Sequence, residues 1–342
     1  MSLSHRPRAV TIDDVAEKAG VSAKTVSRVL NNEPNVRDTK RKIVMEASRA
    51  LGYRPNPAAR SLAGSKSFLL AHLHDNPVPE YVAATNEGIY TACRDNGYFL
   101  LPQRIEPDAA DGLDRLQAFL FTARPDAVIL TPPLCDNEQV ISILEHAGVP
   151  HASLSAAQST SARHVLRHDE HLAARKLVEH LIHQGHRDIA MIAGPEGHKA
   201  ASARFDGYMN ALELAGIHPE TTLVEHGDYT MRSGLEAAQR LLARAKRPTA
   251  IFAANDDMAV GALTASLALG LRIPEDISIA GYDDTRLASA VWPPLTTIRQ
   301  PVSEMACRAA ERLMQPDDNQ PREEVLAFDL IVRASTGPVP TS

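Results

Sequence analysis

A small all-α head carrying a helix-turn-helix, followed by an α/β body of two doubly wound parallel-sheet lobes, is the fold this sequence predicts. Three observations predict it. Residues 10–31 contain two short helical patterns joined by a glycine-bearing turn. From Phe68 onward, short apolar runs alternate with amphipathic stretches. The charge divides in the same way: residues 1–66 carry 13 Lys+Arg against 6 Asp+Glu, and residues 67–342 carry 23 against 36.

The first helix takes its apolar stripe from Val15, Ala16 and Ala19. Thr11 stands at the N-cap with Asp14 three residues on, a weaker form of the capping box, and Gly20 supplies a left-handed C-cap. Ser22 caps a second helix whose Val26, Val29 and Leu30 turn inward, while Ala23, Lys24, Ser27 and Arg28 turn out. A helix, a tight turn and a helix with an exposed basic start form a helix-turn-helix. A third helix over 37–51, with Ile43, Ala47, Ala50 and Leu51 at helical spacing, ends at Gly52 and closes a small core. A basic head suits a phosphate backbone and an acidic body is repelled by it, so nucleic acid binding belongs to the head.

In the body, FLLAHL, YFLLPQ, AVILTP, IAMIAG, AIFAAN and ISIAGYD are strand-like runs. Helical patterns lie at 80–96, 110–123, 137–147, 170–184, 203–215, 231–245, 257–270 and 302–314. Strand then helix, repeated, means parallel sheets covered on both faces. So many helices exceed one open sheet, and two lobes account for them; an eight-stranded barrel is the alternative. No run approaches the ~18 apolar residues of a membrane span. The opening MSLSHRPRAV has no apolar core, so no secretion leader is expected. Cys93, Cys135 and Cys307 are scattered, which fits reduced thiols. The expectation is a soluble, cytoplasmic protein.

Open α/β sheets bind ligands beyond the carboxyl ends of their strands. Polar residues there are the site candidates: Asn255 and Asp256 after FAAN, Asp283 and Asp284 after IAGYD, and His74, Asp75 and Asn76 in HLHDN. Such side chains hold vicinal hydroxyls, and an arginine forks across two of them. Arg204, in RFDGY, is the best fork, and Tyr229, in HGDYT, offers a face for a sugar ring. Asp256 also reads as an N-cap, and Arg204 also as a surface ion pair. There is no G-x-S-x-G, Walker loop or G-x-G-x-x-G after a strand, so no enzyme and no cofactor is expected. His180, His183 and His186, with His164, His168 and His171 nearby, invite a zinc site, but solvated helix-face histidines are the expectation.

TIDDVAEKAGVSAKTVSRVLN followed by GYRPNPAARSLAG resembles the lactose-repressor/galactose-repressor family of bacterial transcription regulators. The resemblance continues through HLIHQGHRDIAMIAGP, SARFDGYMNAL, FAANDDMAVGAL, PEDISIAGYDDT and PPLTTIRQP. It implies a DNA-binding domain over 1–56, a hinge over 57–66 and an effector-binding and dimerisation domain over 67–342. The lobes would be of periplasmic-binding-protein type: one over about 67–167 and 299–329, the other over about 168–298 and 330–342. It carries effector contacts onto Arg204, Tyr229, Asn255, Asp283 and Gln300. One family carboxylate, expected after VPHASL, is Ser155 here, and Asp75 and Tyr81 are the candidates to compensate.

The exposed Ala23, Lys24 and Arg28 are placed for base edges, Arg28 for a bidentate contact to guanine. Thr11, Ser22, Thr25 and Asn31 are placed for phosphate oxygens. Lys40 stands where the family has threonine and adds a phosphate contact. Residues 57–63 form a helix too short to stand alone, ordering only on DNA. By resemblance Leu62 is its minor-groove wedge, with Ala59 and Arg60 beside it. Two half-sites of a pseudo-palindromic operator need a homodimer, with helices such as 87–96 and 257–270 at its interface. The ending RASTGPVPTS has no heptads, so a dimer is expected rather than a tetramer. The function implied is a repressor that a small sugar or glycoside releases from its operator. Corepression by a purine-type ligand is the family's other mode, and a sugar receptor with no DNA role is the remaining alternative.

Overall fold

The structure, a computed structural model, describes residues 10–30, 36–53, 66–156, 161–218, 223–315 and 321–340. The chain divides into two compact units, Met1–Phe68 and Leu69–Ser342. In the first, α1 (Ile12–Ala19), α2 (Ala23–Leu30) and α3 (Asp38–Leu51) enclose Val15, Ala16, Ala19, Val26, Val29, Val44 and Ala47. Thr11 and Asp14 form the full reciprocal capping box on α1, and Gly20 holds φ 63° as its left-handed C-cap.

The phase of α3 differs from the expected one. Its buried stripe is Val44, Ala47 and Ser48, with Leu51 half-buried, whereas Ile43 is 48% exposed and Ala50 is exposed. Both registers match a helical period, and the choice rests on shape and on polar satisfaction. Val44 fills the space between α1 and α2, and the Ser48 hydroxyl donates to the Tyr53 carbonyl at 3.3 Å, so a serine sits inside without loss.

The second unit contains two parallel sheets, which excludes a closed barrel. The first has the order β11-β5-β4-β3-β1-β2, from β1 (Leu69–His74), β2 (Phe99–Arg104), β3 (Ala127–Leu130), β4 (His151–Leu154), β5 (His164–Arg167) and β11 (Glu323–Val325). The second has the order β7-β6-β8-β9, from β6 (Ile189–Ala193), β7 (Val224–His226), β8 (Ala250–Ala253) and β9 (Ser278–Ala280). Alternate residues of β1 and β3 feed different cores: Leu70 and Ile129 face one, Ala71, Leu73, Val128 and Leu130 the other. Burial on both faces explains why these strands read as continuous apolar runs.

Helices α4 (Pro79–Asn96), α5 (Gly112–Ala123) and α6 (Glu138–His146) connect the first sheet. Then α7 (Glu170–His183) leads into the second, which α8 (Lys199–Leu214), α9 (Met231–Leu242) and α10 (Asp256–Ala268) cover, and the short α11 (Arg286–Ala290) follows. β10 (Thr297–Arg299) pairs antiparallel with β12 (Asp329–Ile331), and between them α12 (Val302–Met314) packs on α4 before β11 joins the first sheet. The chain then returns to β9, where the Ile279 N–H donates to the Ser335 carbonyl at 2.8 Å. It therefore crosses between the sheets three times.

Three of the six histidines depart from the solvated expectation, while His183 is exposed as expected. His186 is fully buried, with Nδ1 paired to Thr249 Oγ1 at 2.9 Å and Nε2 to Ser278 Oγ at 3.0 Å. His164 and His168 are buried too. Among the described residues no group of three or more His, Cys, Asp and Glu could hold a metal ion, and no helix is long and apolar enough to cross a membrane.

Helices α9 and α10 approach at glycine. A Cβ on Gly261 would meet the Met231 carbonyl oxygen at 2.2 Å, and one on Gly234 would meet the Met258 backbone at 2.4 Å. Because backbone cannot yield as a side-chain tip can, Gly261→Ala should destabilise the body by about 1–3 kcal/mol. Urea denaturation followed by circular dichroism checks this; an unchanged midpoint would mean the helices separate freely.

Candidate functional site

The carboxyl ends of both sheets face a common cleft. Each lining residue follows a strand. Asn76, Val78 and Tyr81 come after β1, Pro132 after β3, Ser155 after β4 and Glu170 after β5. From the other side come His198, Ala200 and Arg204 after β6, Tyr229 after β7, Asp283 after β9 and Gln300 after β10. The helices that follow are capped at the same level: Asp169 Oδ1 accepts from the Leu172 N–H at 2.9 Å and Asn255 Oδ1 from the Met258 N–H at 2.9 Å.

Of the eight residues expected here, six line the cleft and two do not. Asp75 lies outside the lining, where Arg104 Nε donates to it at 3.2 Å, and its neighbour Asn76 lines the cleft instead. Asn255 is 1% exposed behind the wall. It takes the capping role considered for Asp256, and its Nδ2 donates to the Tyr229 carbonyl at 2.9 Å, so it positions the Tyr229 loop. Asp256 is buried beneath Asp283, accepting from the hydroxyls of Thr297 (2.7 Å) and Thr285 (3.0 Å) and from the Thr285 N–H (2.7 Å). Burial raises its carboxyl to about 7 despite those donors.

Arg204 is neither an open fork nor a surface pair. Its Nε donates to Glu170 Oε2 at 2.8 Å, its Nη2 to Glu170 Oε1 at 3.3 Å and its Nη1 to the Ala254 carbonyl at 2.5 Å. The guanidinium stacks 3.8 Å from the centre of the Tyr282 ring. Burial alone would raise the Glu170 carboxyl, but Arg204 and His168 hold it well below the usual carboxylate range. Tyr229 presents no open face either. It is 5% exposed, its hydroxyl end lies over Gly194, and its ring meets His198 edge-on at 5.3 Å. Asn76 lines the cleft, as its place at the end of HLHDN implies, whereas Glu170 and His198 are absent from the sequence candidates although the strand-end rule covers both. HVLR carries little strand signal because polar residues flank its two apolar ones, so Glu170 in RHDEH does not read as a strand-end residue.

The site stores both polar capacity and strain. Tyr229 Oη and Gln300 Oε1 are buried with no hydrogen-bond partner among the described residues, and Tyr81 Oη and Ser155 Oγ, close to each other, have no partner beyond that mutual approach. Buried polar atoms are normally paired, so these four turn unused hydrogen-bonding capacity toward one cleft. Ser155, Tyr229 and Asp283 hold φ of 54°, 69° and 115°, a region unfavourable to residues with a side chain and concentrated at binding sites. Asp283 Oδ1 accepts from Gln300 Nε2 at 2.5 Å, and burial raises its carboxyl well above the ordinary range. Burial lowers His198 to about 4, so it is neutral.

In the head, Lys24 and Lys40 are exposed and Arg28 is half-buried. Two expectations change. Ala23 packs against the head core and is only partly exposed. Thr11 gives both its hydroxyl (2.8 Å) and its N–H (2.7 Å) to Asp14, which leaves no proton for a phosphate oxygen. Ser22 Oγ and Thr25 Oγ1 share one hydrogen bond at 3.0 Å, so one of their two hydroxyl protons remains for a backbone contact. Asn31, Ala59, Arg60 and Leu62 lie outside the described residues.

A helix-turn-helix unit and a unit with a polar cleft between facing strand ends define a DNA-binding regulator with a small-molecule sensor. Residues 11–56 match the family model for bacterial regulatory proteins of the lacI family, and residues 178–336 match a periplasmic binding protein-like domain. The chain is 34% identical to the probable HTH-type transcriptional repressor ExuR of Bacillus subtilis, over 89% of this chain and 91% of that one. The lac repressor dimer bound to operator and the anti-inducer ONPF superposes with a TM-score of 0.80 at 31% identity, covering 96% of this chain and 100% of that one. A complex of the transcriptional regulator CelR with cellobiose gives 0.72 at 31%, covering 95% and 99%. The chain belongs to the LacI family of bacterial regulatory proteins: it is a DNA-binding transcriptional regulator and not an enzyme.

Because the Asp256 carboxyl is raised from about 4 in the unfolded chain to about 7 when folded, its contribution to stability is complete below pH ~4 and is lost as pH rises through ~7. Asp256→Asn should therefore flatten the fall in stability between those pH values. Urea midpoints measured across that window test it, and an identical slope in variant and parent would assign the titration elsewhere.

Proposed function

We propose that this regulator is a repressor released from a pseudo-palindromic operator when an uncharged, hydroxyl-rich molecule, a sugar or glycoside, binds the cleft between the two sheets. The observation that carries the reading is the set of four buried polar atoms with unused hydrogen-bonding capacity at the strand ends. They stand beside Asp283, which accepts from and donates to hydroxyls, in a cleft whose charges nearly cancel. The cellobiose of the CelR complex agrees with this chemistry. Tyr81, Ser155, Arg204, Tyr229, Asp283 and Gln300 form the proposed effector wall. Asn255 and Asp75 act one step removed, through Tyr229 and Arg104.

Lys24 and Arg28 would read base edges in the major groove, with Ser22 or Thr25 and Lys40 on phosphates. Leu62, Ala59 and Arg60 would enter the minor groove. The operator's two-fold symmetry calls for a homodimer, for which the exposed Tyr90 on α4, and Leu267 and Leu269 at the end of α10, supply apolar surface. Closure of the cleft would be a hinge motion about the three crossings. A coupling of ~1–3 kcal/mol between effector and operator is typical and corresponds to ~5–150-fold in affinity.

Gel-shift titration of an operator-like palindrome, with a panel of mono- and disaccharides and purine bases, tests the reading. Release by a sugar supports it, whereas tightening by a purine means corepression. Asp283→Ala should abolish the response and leave operator affinity near that of the parent; a variant that still responds removes Asp283 from the effector wall. Arg28→Ala should cost about 1–3 kcal/mol and relax specificity at one base position. Equal weakening on all sequences would make Arg28 a phosphate contact.

A further inference from the structure

Among the described residues that line the cleft one is a cation, Arg204, and it is already occupied. Arg204 and Glu170 meet in a two-point pair at 2.8 and 3.3 Å, with side chains 7% and 9% exposed. Glu170 is itself fixed. Its Oε2 accepts from the Tyr282 hydroxyl at 2.6 Å and lies 3.3 Å from His168 Nε2. The third guanidinium nitrogen donates to the Ala254 carbonyl, and Asp283 Oδ1 stands 3.8 Å from it. Two-point geometry of this kind is how arginine recognises a ligand carboxylate or phosphate. Here the protein supplies the carboxylate from its own chain.

We propose that Glu170 is the specificity-determining residue of the cleft: by filling the Arg204 fork from within, it restricts the site to uncharged polyols and excludes sugar acids and phosphorylated sugars. The inference rests on the cleft being the effector site. An anionic ligand would bring a further negative charge beside Glu170, with no free cation among the described lining residues to meet it. Like charges at contact distance in a buried site are strongly unfavourable, and displacing Glu170 would leave its carboxylate unpaired. A hydroxyl, by contrast, donates to either carboxylate and accepts from the guanidinium N–H groups that remain. Lobe one adds no further charge to the wall: Asn76, Val78, Tyr81, Pro132 and Ser155 are all neutral.

Glu170→Gln keeps the shape and removes the charge, leaving Arg204 as an uncompensated cation facing the cleft. The test compares this variant, Glu170→Asp and the parent as full-length chains. Each is titrated with acetate at constant ionic strength and with the pairs glucose/glucuronate and galactose/galacturonate, followed by thermal shift and calorimetry. Circular dichroism verifies that each variant folds. Acetate and the uronates should bind Glu170→Gln about tenfold or more tighter than the parent or Glu170→Asp, and the gain should disappear when Arg204→Met is added.

Parent protein that binds either uronate as well as the matching neutral sugar, or a Glu170→Gln variant with no gain for any anion, overturns the proposal. Should Glu170→Gln misfold, Glu170→Ala with acetate added back asks the same question: the anion should restore its melting temperature, and no restoration overturns the occupancy. The acetate result does not depend on operator binding. A gain for anions in a protein whose operator affinity no sugar alters would retain Glu170 as the occupant of the fork while rejecting the effector reading.

Discussion

Removing a guanidinium and a carboxylate from water together constrains everything around the cleft. Neither Arg204 nor Glu170 tolerates loss of the other, because an isolated buried charge costs several kcal/mol. Their neighbours are arranged accordingly: Tyr282 stacks under the guanidinium and donates to Glu170, His168 closes the far side, and Ala254 takes the remaining donor. Glu170 opens α7, the first element after the chain leaves the first sheet, and Arg204 sits on α8 over the second. The pair thus ties the first crossing of the chain to the floor of the site.

Around that fixed pair the polar groups are left open, and the contrast supports the proposed reading of the site as one that receives a molecule. A folded protein pairs its buried polar atoms unless something else does so. Tyr229 and Gln300 each keep an atom without a partner among the described residues, Tyr81 and Ser155 have only each other, and two of those four also hold a left-handed backbone. Strain and unsatisfied hydrogen bonding in one place are tolerable because burial elsewhere is extensive: alternate residues of the central strands fill two cores at once.

The division of charge keeps the two jobs of the molecule apart. The basic unit carries exposed lysines on α2 and α3, while the acidic body is repelled from a phosphate backbone. The internal hydrogen bonds of the head then select among its polar residues. Thr11 is consumed by its own capping box, whereas Ser22 and Thr25 retain one proton between them.

Much of this was legible in the sequence by itself. Capping residues, left-handed glycines and helical periods marked the head, and alternating apolar runs marked parallel strands, because these signals act over a few residues. The strand-end rule placed Asp283, with Arg204 and Tyr229, at one cleft for the same reason, whereas Gln300 came from the family resemblance alone. Where two local patterns fitted equally, as for Ile43 against Val44, only packing against α1 and α2 decided. His186 reads as a solvated helix-end residue until Thr249 and Ser278, far along the chain, are brought to it. The partner of Arg204 was likewise beyond local reading: Glu170 lies 34 residues away, after a strand with little apolar signal. Which donor meets which acceptor is a property of distance in space, and only the tertiary structure sets it.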